Sequence, residues 1–227
     1  RFLPYLYTLF FNHERTGQPV MRPLWYEFPN DKLTYLIGDQ YMVGSDLLVA
    51  PVVKEGVRNR EVYLPAGAAW IDWWTGERME GGKQYRVEAP LDRLPLYARA
   101  GAIVPTQEIV QHTGEMPGSP ITLNIAAGIE PGRTDVSNLH QDAGDGYGYR
   151  LNEWRNIRME HRQGTLRITR SGNFDGQRIR YLEIVGLTAN PREVRGDGKK
   201  LDHTYDAARR RVRVELTDGV EEISLTR

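Results

Sequence analysis

Hydrophobic positions change period along this chain. Residues 2–14, FLPYLYTLFFNHE, place Leu3, Leu6, Tyr7, Phe10 and Phe11 at helical spacing, with Pro4 in the first turn and Thr16-Gly17 as a stop. That is an amphipathic helix, and one so aromatic needs a large body to pack on. After Gly17 the period shortens to that of strands. Residues 19–28 predict a buried strand and its exit, and Pro29-Asn30-Asp31 a turn or helix cap. Residues 47–53 form a continuous apolar strand, closed by a loop over 54–59. Short β segments follow at 60–64, 69–73, 84–88, 95–99 and 102–104. Pro65-Ala66-Gly67, Thr75-Gly76 and Gly81-Gly82 punctuate them, as an all-β sandwich requires. Residues 106–120 are polar, with Gly and Pro near their end, and predict a linker.

A second β series runs through 121–125, 155–160, 165–170, 178–185, 193–195, 211–216 and 222–225. Within it Leu166 and Ile168 alternate with Arg167 and Thr169, and Val212, Val214 and Leu216 with Arg211, Arg213 and Glu215. Alternation of this kind buries one face and wets the other. The pattern predicts a mainly β chain: a helix and strand over 1–43, a proximal antiparallel β-sandwich over 44–105, a linker over 106–119, and a distal antiparallel β-sandwich over 120–227.

Composition narrows the function classes. The 227 residues suffice for two cores, and 30 basic residues balance 30 acidic ones. A chain without net charge carries no electrostatic footprint for nucleic acid. The run Arg209-Arg210-Arg211 leads into an alternating segment and reads as a solvated strand face. The absence of cysteine excludes disulfides, thiolate catalysis and Cys-based zinc sites. No stretch reaches the roughly 18 apolar residues of a membrane helix. Neither a nucleic acid nor a membrane is expected as a partner. The chain opens on Arg1 with no signal-peptide pattern, so more protein is expected upstream.

Three stretches suggest chemistry. The loop His140-Gln141-Asp142-Ala143-Gly144-Asp145-Gly146-Tyr147-Gly148-Tyr149 holds two carboxylates among glycines. Asp142 and Asp145 are candidates for a cation site or a glycosidase-type acid pair. The spacing departs from an EF-hand, and Asp-Gly is hairpin chemistry, which favours a turn. Trp70, Trp73 and Trp74 offer a stacking surface for sugar rings. The alternative is that they pack the two faces of a strand, one inward and one against a neighbouring domain. His13, His112, His140, His161 and His203 share no metal-ligand spacing, and no HExxH, GxSxG, Walker A or GxGxxG motif occurs. No cofactor is implied.

The segments LPYLYTLFFNHERTGQPVMRPLWYEFPND and DQYMVGSDLLVAPVV closely resemble glycoside hydrolase family 31, the α-glucosidase and α-xylosidase family. The resemblance continues through REVYLPAGAAWIDWWTGERMEGG, with one extra alanine at Ala68-Ala69, and through LPLYARAGAIVP. LHQDAGDGYGY is similar to a turn of the family's distal β domain, with His140 where tyrosine is usual. The resemblance implies that residues 1–28 are the closing helix and strand of a (β/α)₈ barrel, followed by the two sandwiches. It also implies an oligosaccharide or α-glycoside substrate and a retaining mechanism, with one aspartate as nucleophile and another as acid and base. The family's nucleophile tract, W-x-D-M-(N/S)-E, is absent from these 227 residues. No catalytic, cofactor-binding or metal residue is therefore assigned to this chain. Arg22 is expected to be a buried structural tie, with Glu27, Asp39 or an upstream acid as partner.

Overall fold

The computed structural model describes residues 1–128, 134–162 and 164–226. Helix α1 spans Leu3–Thr16; it begins with Pro4 in its first turn and ends at Gly17, whose φ of 74° gives the left-handed stop. Strand β1 (Met21–Pro23) breaks at the proline and passes into a single helical turn, α2 (Leu24–Glu27). The strand expected over 19–28 is thus three residues long, because the Phe28 N–H turns back to bond the Leu24 carbonyl. A 3₁₀ turn over Lys32–Leu36 follows, capped by the Asp31 side chain on the Leu33 N–H.

The proximal strands are β2 (Tyr41–Val43), β3 (Leu47–Val49), β4 (Asn59–Leu64), β5 (Ala69–Asp72), β6 (Arg78–Glu80), β7 (Lys83–Glu88) and β8 (Leu96–Arg99). One six-stranded sheet has the order β1-β2-β3-β8-β5-β6, and β4 pairs with β7 in a separate ribbon. Leu24, Phe28, Met42, Leu48, Val62, Leu64, Trp70 and Tyr97 fill the space between them.

The distal strands are β9 (Ile103–Gln107), β10 (Ile121–Ala126), β11 (Asp135–Gln141), β12 (Arg155–Arg162), β13 (Thr165–Gly172), β14 (Ile179–Val185), β15 (Glu193–Gly196), β16 (Lys199–Leu201), β17 (His203–Asp206), β18 (Arg211–Glu215) and β19 (Glu222–Thr226). They form two facing sheets, β17-β18-β14-β10-β9 and β11-β12-β13-β19-β15-β16. Inward rows such as Leu123 and Ile125, Leu182 and Ile184, Val212 and Val214, Ile157 and Met159, and Leu166 and Ile168 make one core.

The mainly β fold with antiparallel sheets is as expected, with three differences. β10 and β14 run parallel, Leu123 opposite Leu182; the chain between them builds three strands of the other sheet, and that long crossover permits a parallel return. β1 and β2 share a sheet with β3, so hydrogen bonding does not separate 1–43 from 44–105. β9 already pairs with β10, from Ile103 opposite Ile125 to Gln107 opposite Ile121, so the distal sheet begins before residue 106.

A third core ties everything to the helix. Tyr5 of α1, Leu47, Val49, Ile71, Leu96 and Ala98 of the proximal sheet, and Val104, Ala126 and Val185 of the distal one pack together. At Gly44, φ 61°, α1 comes close: a Cβ there would run into the Tyr5 hydroxyl and meet Leu9 Cδ2 at 2.9 Å.

Candidate functional site

The acidic loop closes onto the helix. Asp142 Oδ1 accepts from the Tyr7 hydroxyl and from the Gly144 N–H at 2.8 Å, and Oδ2 lies 3.0 Å from His140 Nε2. The other ring nitrogen of His140 lies 2.7 Å from Asn156 Oδ1, and the imidazole stacks on Phe11 with centroids 3.5 Å apart. Thr8 Oγ1 accepts from the His140 N–H, and the Tyr149 hydroxyl bonds Glu14. Burial pushes the Asp142 carboxyl up, but the donors Tyr7, Gly144 and His140 outweigh it and hold it below the usual range. Burial and the adjoining carboxylate drive the Tyr7 phenol upward. Asp145 accepts the Gly146 N–H of its own turn at 2.7 Å. Both aspartates are engaged in a turn and a clasp. Among the described residues no group of three or more His, Cys, Asp and Glu side chains is arranged to hold a metal ion.

The three tryptophans do not share a surface. Trp70 has no exposed area and donates to the Pro65 carbonyl. Trp73 lies 5.3 Å from the Phe2 ring, with the Arg211 guanidinium of the distal sheet 6.0 Å from its centroid. Arg211 also donates to the Trp73 carbonyl at 3.1 Å. Trp74 is half-exposed and bonds the Leu94 carbonyl at 2.7 Å. Trp70 points inward and Trp73 packs against Phe2 of α1 and Arg211 of the distal sheet, while Trp74 stays half-exposed, so the three do not form one stacking platform.

Arg22 is buried and donates to Glu27 Oε1 at 2.5 Å and to the Pro19 carbonyl at 2.7 Å. Asp39 instead pairs with Arg60 at 2.8 Å. Residues of β1 and α2 thus lock the exit of β1 on itself.

One group escaped the sequence reading. Asp46 lies where α1, the proximal sheet and the distal sheet meet. Tyr5 Oη donates to the Val43 carbonyl at 2.8 Å and sits 3.3 Å from Asp46 Oδ2, while Ser45 Oγ donates to Oδ1 at 3.1 Å. Burial pushes the Asp46 carboxyl up to about 6, against the pull of Ser45, Tyr5 and Arg99 and with help from Asp135. A polar Ser-Asp pair entering an apolar strand was the available signal.

The remaining conspicuous surface is apolar. Of the seventeen exposed large apolar side chains among the described residues, nine lie in the first 36: Leu3, Tyr7, Phe10, Met21, Trp25, Tyr26, Leu33, Tyr35 and Leu36. Leu3, Tyr7 and Phe10 form one stripe of α1, opposite the buried Tyr5 and Thr8. The helix therefore buries its mixed face and exposes part of its apolar one. β1 is also an edge strand, bonded on one side to β2.

Residues 17–104 match the family model described as the glycosyl hydrolase family 31 C-terminal domain. The chain belongs to glycoside hydrolase family 31. It corresponds to the family's C-terminal portion. It is 35% identical over 164 residues to alpha-glucosidase 2 of Bacillus thermoamyloliquefaciens, covering 72% of this chain and 20% of that protein. A family 31 dextranase of Flavobacterium johnsoniae, complexed with isomaltotriose, superposes with a TM-score of 0.87 at 25% identity, over 100% of this chain and 31% of that one. The family 31 alpha-xylosidase of Xanthomonas citri gives 0.72 at 32% identity, over 95% and 24%. The matched region spans about a fifth of the length of such curated relatives.

Proposed function

We propose that this chain is the C-terminal part of a retaining, exo-acting α-glycosidase of the α-glucosidase type, acting on terminal α-linked sugars. Its two β units brace a catalytic barrel whose aspartates lie outside these 227 residues. The observation that carries this is the concentration of exposed apolar side chains in residues 1–36, on a helix stripe next to an open strand edge. An apolar surface of that kind is built to be covered, and an edge strand to be continued. Residues 1–28 would then close the barrel, with Arg22 spent on Glu27 as a local tie. A free-standing carbohydrate-binding module is less favoured, because Trp70 is enclosed and Trp73 is packed between domains.

The purified chain is expected to show no turnover of p-nitrophenyl α-glucoside or α-xyloside, while a longer protein carrying it and the upstream barrel hydrolyses at least one. Turnover by the purified chain alone would overturn the assignment.

A further inference from the structure

The chain contains four Asp-Gly steps: Asp145-Gly146, Asp175-Gly176, Asp197-Gly198 and Asp218-Gly219. At such a step the glycine nitrogen is a nucleophile toward the preceding carboxyl, because no side chain shields the amide. Ring closure requires the two groups to meet, so geometry decides which step reacts in the folded chain.

At three steps the carboxyl is turned elsewhere. Asp175 faces Arg178 at 2.9 Å, and a Cβ added at Gly176 would lie 2.8 Å from Gln141 Oε1. Asp197 Oδ1 accepts the Glu221 and Glu222 N–H groups at 3.1 and 2.9 Å, which seats it in the turn between β15 and β16. Asp218 Oδ2 lies 3.4 Å from the Arg178 guanidinium, in a turn closed by the Val220 N–H on the Thr217 carbonyl. Asp145 differs. Its Oδ1 receives the Gly146 N–H at 2.7 Å, and among the described residues only this step has its glycine N–H on the aspartate before it. Both residues are exposed and outside any helix or strand, and a Cβ added at Gly144 or Gly146 would meet nothing within 4 Å. The nucleophile therefore touches the carboxyl it would attack, in a loop with room to pucker.

We propose that Asp145-Gly146 is a site of spontaneous isoaspartyl formation, and that conversion there loosens the hold of the acidic loop on α1. The Gly146 nitrogen bonds to Asp145 Cγ. The carboxyl, protonated from solvent, gives up its hydroxyl, which leaves as water with the amide proton. The product is a five-membered succinimide, and water then opens it at either carbonyl. Attack at Cγ restores the aspartate. Attack at the main-chain carbonyl breaks its bond to the Gly146 nitrogen and leaves the chain running through Cγ. No oxidant, reductant or cofactor enters the balance. The isoaspartyl form adds one carbon to the backbone between Asp142, which takes the Tyr7 hydroxyl, and Tyr149, which bonds Glu14. Those contacts tie the two ends of the loop to α1, and the insertion changes the spacing between them. The free carboxylate left on the loop is the group that a methyltransferase of the isoaspartyl-repair class recognises.

The test ages the 227-residue chain at neutral pH in water enriched in ¹⁸O and maps its peptides by mass spectrometry. Each pass through the ring leaves one heavy oxygen, and the protease Asp-N, which cuts before aspartate, stops cutting before an isoaspartyl residue. Label and resistance are expected at Asp145 about tenfold faster than at Asp175, Asp197 or Asp218. In urea the four rates should converge, because the unfolded chain lacks the contact. Asp145→Glu keeps the charge but would need a six-membered ring, and should stop labelling at this position. Isomerised chain, separated after enzymatic methylation, should exchange the Gly144 amide faster than native chain. Labelling of the folded protein no faster at Asp145 than at the other three steps, or a rate there unchanged by Asp145→Glu, would overturn the site. Unchanged Gly144 exchange in the isomerised chain would overturn the loosening.

Discussion

Asp46→Asn is expected to stabilise the protein, by an amount that depends on pH in a stated way. Asp46 keeps part of its surface exposed, yet its carboxyl group is enclosed where α1 meets both β units. A carboxyl that titrates at about 6 instead of 3.8 costs the fold roughly 3 kcal/mol once ionised in both states, at about 1.4 kcal/mol per pH unit. The raised native value fixes the sign. Below about pH 4 folded and unfolded chains both hold the proton and there is no penalty. Between about 4 and 6 the unfolded chain releases it while the native one keeps it, so wild-type stability falls with rising pH. Above about 6 the loss is complete and flat. The amide stays neutral throughout and its Oδ1 still accepts from Ser45 or Tyr5; losing the second acceptor offsets about 1 kcal/mol. The net gain should therefore be about 2 kcal/mol at pH 7.5 and shrink toward zero, or slightly below, at pH 4. Urea unfolding of both proteins at half-unit steps from pH 4 to 8 measures it. A gain that does not vary with pH, or a loss at pH 7.5, would refute the assignment of a destabilising buried carboxylate.

Three further outcomes follow from the same contacts. Arg22→Met should destabilise by about 3–5 kcal/mol, because it leaves Glu27 enclosed without its partner; adding Glu27→Gln should recover part of the loss, read by chemical denaturation of the single and double variants. Gly44→Ala should be strongly destabilising, since the new methyl meets the Tyr5 hydroxyl and Leu9 on a backbone at positive φ; Tyr5→Phe alongside it should relieve part of the clash. Asp142→Ala should cost about 1–3 kcal/mol and speed amide exchange at Gly144. Because the native Asp142 carboxyl is held below its ordinary range, the stability it adds is present at neutral pH and lost as the pH falls, so the difference from wild type should narrow under acid conditions.

Strands were legible where the alternation was strong. The segments around Leu166 and Ile168, and around Val212 and Val214, appear as read, within a residue or two at each end. Strand β11 escaped because Asp135, Ser137 and Asn138 carry no β signal; it is defined by pairing with β12, Leu139 opposite Ile157. The residues after Pro23 looked like a strand because they are apolar and aromatic, but a local N–H to carbonyl bond made them a helical turn. The tryptophan cluster was ambiguous for a deeper reason: three indoles within five residues occupy different neighbourhoods, set by partners such as Phe2 and Arg211 that lie far off in sequence.

Helix α1 gives these observations a common mechanical sense. It is fixed three times: on its inner face by Tyr5 against Gly44 and Asp46 and by Thr8 and Phe11 against His140, and from the outer stripe by the Tyr7 hydroxyl against Asp142. The first contact belongs to the proximal unit and the other two to the distal one. With both β units holding the same 14 residues, a rotation of either one would have to break buried bonds on the helix. The outer stripe of Leu3, Tyr7 and Phe10 is then presented at a fixed angle. If a catalytic barrel covers that stripe, as proposed, the sandwiches act on it through the helix as one lever. Loosening the Asp142 clasp should weaken the barrel's stability before it touches any sugar contact. In the longer enzyme, Asp142→Ala should lower the inactivation temperature while leaving KM unchanged. A rise in KM with unchanged thermal inactivation would place the loop beside the substrate and end the bracing role.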